Sequence, residues 1–313
     1  MSKDIQTSSS FHYASPFHLE ENWCIRTENR NHNCTHAEID TLISKEIINT
    51  IDLEIMTLLC KWRFVNTHNI TIALNHSLPG PYKKTDYSRN LRKLVRAGII
   101  IRHYLSSTDN CEATIPITPL RFYSLSPGAR SYVSQHLDLS SRQSPLLSDI
   151  QIMESLAVSQ LMITLSSSES TNIKSCHTAV TRQTKQGALL LPAQFCFRMQ
   201  PDVPSLKVYV FCGRSNPGSL NKLVLDTCTL LQLLDPAESF IIIVLLETTN
   251  DIAFVHQRTI TKSRATNFSR LYYTTDHAIF TDSLFNSLYQ CDESDGVLSI
   301  NRVELSTTNK ILI

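Results

Sequence analysis

Apolar residues in the first half of the chain recur at three- and four-residue steps. In "ISKEIINTIDLEIMTLLCKWRFV" (43–65), Ile47, Ile48, Ile51, Ile55, Leu58 and Leu59 keep the helical period. "NTHNITIALN" (66–75) predicts a shorter helix, with Thr67 as cap and Ile70 and Leu74 facing inward. After a Pro-Gly-Pro loop, a third helix is predicted from Thr85, its cap, with Asp86 in the first turn. Its apolar stripe is Tyr87, Leu91, Leu94 and Val95, and Gly98 ends it in a left-handed conformation. "IIIRHYL" (99–105) reads as a strand, "SSTDNCEATIPITP" as a loop, and "LRFYSLS" (120–126) as the returning strand. "PGARSYVSQHL" (127–137) opens on a helix-starting proline.

The pattern changes after "DLSSRQSPLL" (138–147), which reads as a linker. A helix follows over 148–166, then a polar stretch, then strands over 188–199 and 206–212 and a helix over 219–235. The unbroken run "SFIIIVLLET" suggests a strand buried on both faces. A helix over 250–260, a strand over 270–275, a helix over 279–290 and a last strand over 297–305 complete the alternation. The fold class expected is α+β: an N-terminal unit over 41–137 and a mixed α/β sheet unit over 148–313, with helices on the faces of its sheet. Residues 1–40 are polar and aperiodic, and are expected to be a disordered arm.

Composition adds charge to this picture. Of 313 residues, 42% are hydrophobic and 18% charged, which describes a soluble globular chain. The longest apolar run, 240–246, is far too short to span a bilayer, and the N-terminus lacks the apolar stretch of a secretory signal, so a cytoplasmic protein is expected. Nine Cys residues, with no CxxC, are expected to be free thiols. Net charge is only +1, yet "KKTDYSRNLRKLVRAGIIIRHYL" (83–105) holds seven Lys or Arg against one Asp. The basic helix is the third in the order helix, helix, helix, strand, loop, strand, helix. That order is a winged helix-turn-helix, and the third helix is the element that enters the major groove of double-stranded DNA. Ser88, Arg89, Arg92, Lys93 and Arg96 are expected at the groove, and Lys83, Lys84 and Arg102 on the phosphate backbone. Asn90 would read adenine if it faces outward, and His103 would extend the cations into the wing. A symmetric dimer reading two half-sites is expected, built on the apolar helices at 148–165 and 219–234.

"TDYSRNLRKLVRAGIIIRHYL" followed by "LRFYSLSPGARSYV" resembles the replication-relaxation family of plasmids and mobile elements, and the resemblance spans most of 45–290. It implies a winged helix followed by a domain resembling restriction endonucleases, in a protein regulating transcription, replication or transfer of a mobile element. The family carries an "RPD", then an acidic residue on a strand, then a helix with Lys. Here "MQPDVPSLKVYVFCGRS" keeps Pro201, Asp202 and Arg214, and Lys222 follows, but Phe211, Cys212 and Gly213 stand where the strand glutamate belongs. The expectation is therefore a non-catalytic second domain without a cofactor.

Three other constellations carry weaker signals. Asp202 with Glu154 and Lys222 would make a poor Mg²⁺ site, since hard cations need several oxygen ligands. Cys24, His32, Cys34 and His36 fit no common zinc spacing. "GRSNPGS" (213–219) lacks a Walker lysine and reads as a turn. Two alternatives stay open: a metal-dependent nuclease with an atypical site, and a protein-interaction adaptor.

Overall fold

The structure, a computed structural model, describes residues 15–28, 34–107, 120–137, 147–167, 173–184, 187–198, 205–235, 237–263, 268–282, 284–294 and 297–303. The chain is mixed α and β, with two sheets. Residues 1–14 and 29–33 of the expected arm lie outside the described residues, but the rest of it is part of the fold. Strand β1 (Trp23–Glu28) joins a sheet, and helix α1 (His36–Ser44) starts at a reciprocal Thr35–Glu38 cap. Phe17, Cys34 and Ile39 are buried in this segment. They are too widely spaced to produce a period, which is why the segment reads as polar.

The helix expected over 43–65 starts later. Helix α2 (Thr50–Trp62) begins where the Asn49 N–H donates to Asp52 Oδ2 (2.8 Å) and the Asp52 N–H to Asn49 Oδ1 (3.1 Å). Strand β2 (Val65–Asn66) leads into α3 (Thr67–Ser77), whose cap is Asn66 rather than Thr67: its Oδ1 accepts from the Asn69 N–H at 2.8 Å. Helix α4 (Lys84–Arg96) starts one residue before the expected Thr85, with Asp86 Oδ2 accepting from the Lys83 N–H at 2.7 Å. Gly98, at φ 69°, turns the chain into β3 (Ile100–Ser107). Strand β4 (Arg121–Leu125) and helix α5 (Pro127–Leu137) follow. The first sheet is antiparallel in the order β1-β3-β4-β2.

Helix α6 (Asp149–Ser166) begins the second half, followed by β5 (Ile173–Thr184), β6 (Gly187–Phe197) and β7 (Leu206–Cys212). The polar stretch after α6 is thus largely strand. As the edge of a seven-stranded sheet, β5 needs no continuous apolar run. Helix α7 (Pro217–Leu233), β8 (Phe240–Leu246), α8 (Thr249–Lys262) and β9 (Leu271–Thr275) continue the sheet with parallel pairings β7·β8 and β8·β9. The helix expected over 279–290 is instead a short α9 (Asp276–Thr281), a tight turn and β10 (Leu288–Ser294), which pairs with β11 (Val297–Val303). Ile279, Leu284 and Leu288 are all buried, and their four- and five-residue spacing mimics a helix.

Strands β7 and β8 are buried on both faces. Val208, Val210, Cys212, Ile241, Ile243 and Leu245 enter one core, and Tyr209, Phe211, Ile242, Val244 and Leu246 the other, which α7 and α8 cover. Helix α6 covers the first face and is apolar around its circumference: Met153, Leu156, Ala157, Val158, Leu161, Met162 and Ile163 are all buried. Its far side meets the N-terminal helices, where Ser159 Oγ donates to the Trp62 carbonyl at 2.9 Å. One core therefore runs through both halves, from Ile55 to Leu288. Residues 138–146 of the expected linker lie outside the described residues, but the units it was to separate are packed together. Helix α6, expected to support a dimer, is consumed inside the chain. No helix among the described residues is long and apolar enough to cross a membrane.

His103, expected to extend the cations of the wing, faces the core instead. Its ring stacks on Phe122 at 5.0 Å and meets Phe64 edge-on at 5.7 Å, between Thr27 Oγ1 (3.0 Å) and Ser124 Oγ (2.9 Å). Burial lowers its pKa to about 4, so it is neutral in the fold and takes up its proton only on unfolding. A His whose folded pKa is depressed stabilises above the unfolded value and loses that stability as pH falls toward the folded one. Between pH of about 6.5 and about 4, wild type should lose on the order of 3 kcal/mol more stability than His103→Gln. Urea titrations of both proteins across that range check this; parallel pH profiles would refute it.

Candidate functional site

Helix α4 has 13 residues and is about 20 Å long. Tyr87, Leu91, Leu94 and Val95 form its buried stripe. Tyr87 anchors it to α3, with its hydroxyl 2.7 Å from both the Thr67 carbonyl and Thr71 Oγ1. The opposite face presents Lys84, Arg89, Arg92 and Arg96 to solvent, with Lys83 at its start and Ser88 half-buried. Arg89, Arg92 and Arg96 recur at helical spacing and, with Lys93, line a hollow of about 400 Å³.

Beside this face lies a groove of about 340 Å³ between α4 and the first sheet, lined by Lys84, Ser88, Arg92, Arg102, Arg121 and Tyr123 among others. Strand register builds its floor. Glu28, Arg102 and Tyr123 stand in one row across β1, β3 and β4, and Arg26, Tyr104 and Arg121 in the next. Two-residue alternation puts both rows on one face of the sheet. Arg121 was missed from sequence. Its signal was there in "LRFYSL", where Arg121 and Tyr123 share a face, but the pairing partner needed the register.

Three of these residues also have partners within the fold. Asn90 does not face outward: it is buried, and its Nδ2 donates to Asp52 Oδ1 (2.9 Å) and Asn49 Oδ1 (3.1 Å). The Lys93 ammonium, expected at the groove, pairs with the fully buried Asp52 carboxylate and donates to the Ile47 carbonyl at 2.6 Å. The network joins α4 to the N-terminus of α2, where the helix dipole also favours the Asp52 charge. Arg102 lines the groove, but its guanidinium pairs with Glu28 on the neighbouring strand. Ser88, Arg89, Arg92, Arg96, Lys83 and Lys84 stay on the accessible surface.

A second polar cluster closes the carboxyl ends of β7, β8 and β9. Arg214 is buried and paired with Asp276 (Nη1 to Oδ2, 2.6 Å) and, more distantly, Glu247 (Nε to Oε1, 3.9 Å); its Nη2 lies 3.1 Å from Cys212 Sγ. Glu154 on α6 accepts from Ser219 Oγ at 2.6 Å, and burial pushes its carboxyl pKa up. The chain enters from its other end: Ser15 Oγ donates to Asp276, and His18 Nδ1 lies 2.7 Å from Glu247 Oε2. Glu247 and Asp276 were missed from sequence, although each directly follows a buried strand. Asp202 and His32 lie outside the described residues. Lys222 is exposed on α7. Phe211 and Cys212, which stand where the strand glutamate belongs, point to opposite faces of the sheet. In "GRSNPGS", Asn216 Oδ1 caps α7 by accepting from the Gly218 N–H at 2.9 Å. Cys34 is buried, with its carbonyl tight against Gly128, and His36 packs edge-on to Tyr132. Among the described residues no group of three or more His, Cys, Asp or Glu is arranged to hold a metal ion.

The reassignment of Lys93 is measurable. Lys93→Ala leaves the Asp52 carboxylate buried without its cation and should cost about 2 kcal/mol of stability, less than a fully buried pair because Lys93 is partly exposed. Arg92→Ala, at the neighbouring position but on the solvent face, should stay within about 0.5 kcal/mol of wild type. Equal denaturation midpoints for the two variants would contradict the assignment.

No protein-family model matches the chain. No curated protein matches it either.

Proposed function

We propose that the protein binds double-stranded DNA through α4 and the neighbouring sheet. In this reading the first half is a winged helix, with α4 as recognition helix and β3–β4 as wing. The second half is a restriction-endonuclease-like domain without nuclease chemistry. The protein would be a member of the replication-relaxation family that regulates transcription, replication or transfer of a plasmid or mobile element, with no cofactor. The observation that carries the proposal is the gathering of Lys84, Arg92, Arg102 and Arg121 around one groove, with Arg89 and Arg96 beside it. Cations so placed bind phosphates by counterion release, and an exposed Arg on a groove-sized helix can pair with guanine. A symmetric dimer reading two half-sites belongs to the same proposal. With α6 consumed in the core, its surface would fall on α7, where Leu225 and Leu233 are exposed.

Arg92→Ala should weaken duplex binding by about 1–3 kcal/mol, selectively for the preferred sequence, if Arg92 reads a base. If it holds phosphate only, the loss should be uniform across sequences and the log–log salt slope should drop by about one. Titration of labelled duplexes at two salt concentrations separates these outcomes. Equal binding by wild type and the Arg89→Ala, Arg92→Ala, Arg96→Ala triple variant would rule out the interface. Salt-insensitive binding to a protein partner alone would favour the adaptor reading.

The non-catalytic reading of the second half is supported by Arg214, which occupies the carboxylates of Asp276 and Glu247, and by the Ser219 bond to Glu154. Mg²⁺ needs several free oxygen ligands and dehydrates reluctantly. Supercoiled DNA incubated with the protein and Mg²⁺ or Mn²⁺ should remain intact. Nicking that disappears in Asp202→Ala or Glu154→Ala would promote the nuclease alternative.

A further inference from the structure

We propose that residues 15–28 form a strap that restrains the groove: one end is hooked into the large sheet, the other holds Arg102, and unhooking the first end releases the second. The inference rests on the DNA-binding reading of the groove and adds its regulation.

The hook is built from three residues. Ser15 Oγ donates to Asp276 and accepts from the Phe17 N–H at 3.0 Å. Phe17 is fully buried and stacks on Phe280 with ring centroids 6.2 Å apart. His18 Nδ1 meets Glu247 Oε2 at 2.7 Å. Five residues on, the strap becomes β1, the edge strand of the first sheet, registered with β3 from Trp23 opposite Ser107 to Glu28 opposite Arg102. Between the two ends, the Ile25 N–H donates to Asp149 Oδ2 at 2.9 Å. The strap therefore touches the second half at its start and middle, and the groove at its end.

Phe17 is the strong hold, and the polar contacts around it are of a kind that can be given up. Asp276 and Glu247 keep Arg214 as counterion when Ser15 and His18 leave, so release strands no buried charge. Among the described residues β1 is an edge strand, and its side chains are half-buried or exposed, which places it among the less stable parts of the fold. The Glu28–Arg102 pair is partly exposed on both sides, and such pairs are weak. Its effect on DNA is larger than its effect on the fold. Glu28 puts a carboxylate beside Arg102, next to the groove, and occupies the guanidinium that a phosphate would use. Removing the strap would convert one neutralised cation into a phosphate contact and withdraw one repulsive charge.

The test uses three variants of the full chain: Ser15→Ala with Phe17→Ala and His18→Ala, which removes all three contacts of the hook; Glu28→Gln; and Arg92→Ala as a control. Amide hydrogen exchange is followed over 23–28 without DNA, and affinity is measured for a random-sequence duplex at two salt concentrations. In the unhooked variant, exchange over 23–28 should rise about tenfold, with α2 and α4 unchanged. Duplex binding should tighten about two- to fivefold, and the salt slope should steepen by about one. Glu28→Gln should tighten binding to a similar degree with wild-type exchange. Wild-type exchange over 23–28 in the unhooked variant overturns the strap. So does unchanged or weaker binding by Glu28→Gln in a series where Arg92→Ala does lose affinity. If wild type and Arg92→Ala both fail to bind duplex, the DNA reading has failed, and the coupling between hook and β1 is decided by the exchange result alone.

Discussion

A helix that is apolar on every side cannot lie on a surface, and α6 imposes that constraint on the whole chain. One flank covers the Val208, Val210 and Ile243 face of the large sheet, and the other meets the end of α2. Each fully buried Leu, Ile or Met side chain contributes about 1.5–3 kcal/mol through removal from water. Splitting the halves would expose several of them together. The basic helix therefore belongs to a half that shares its core with the large sheet. Hydrogen bonds such as Ser159 to Trp62 and Ile25 to Asp149 add to that packing.

Within that body, two buried charges define the polar architecture. Asp52 holds Lys93 and Asn90 of α4 against the start of α2. Arg214 gathers Asp276 and Glu247 at the ends of the parallel strands. Such pairs contribute little net stability compared with a well-packed apolar substitute, but losing one partner is costly. Their physical effect is orientation: an α4 rotated about its axis would leave Asp52 unpaired, so the outward direction of Arg89, Arg92 and Arg96 is coupled to the inward direction of Lys93.

Periodicity in the sequence located α4, its glycine stop, the hairpin strands and the doubly buried β8, because each carries a strong local pattern. It failed where tertiary pairing decides. β5 reads as polar because it is an edge strand, and 279–290 reads as helix because the buried Ile279, Leu284 and Leu288 happen to fall near helical spacing. The segment up to α1 reads as disordered because its buried apolar side chains, Phe17 and Cys34, are isolated from one another. For the groove, the basic face of α4 was legible as charge on a helix. The inward turn of Lys93 and Asn90 was not, since both sit at the boundary of the apolar stripe and only the position of Asp52, some forty residues earlier, selects their direction. Arg121 and Glu28 were hidden for the complementary reason: their place beside Arg102 is a matter of strand register, which single-strand patterns do not reveal.

The contact between Ser15 and Asp276 spans 261 positions of the chain. During synthesis the ribosome adds about 5–20 residues per second, so the first of these residues leaves the peptidyl-transferase centre on the order of 10–50 seconds before its partner exists. Throughout that interval Phe17 has no aromatic neighbour to stack on, and the amino-terminal segment must stay soluble without its final berth. Its polar composition, with hydrophobic side chains few and far apart, suits a nascent chain that has to wait.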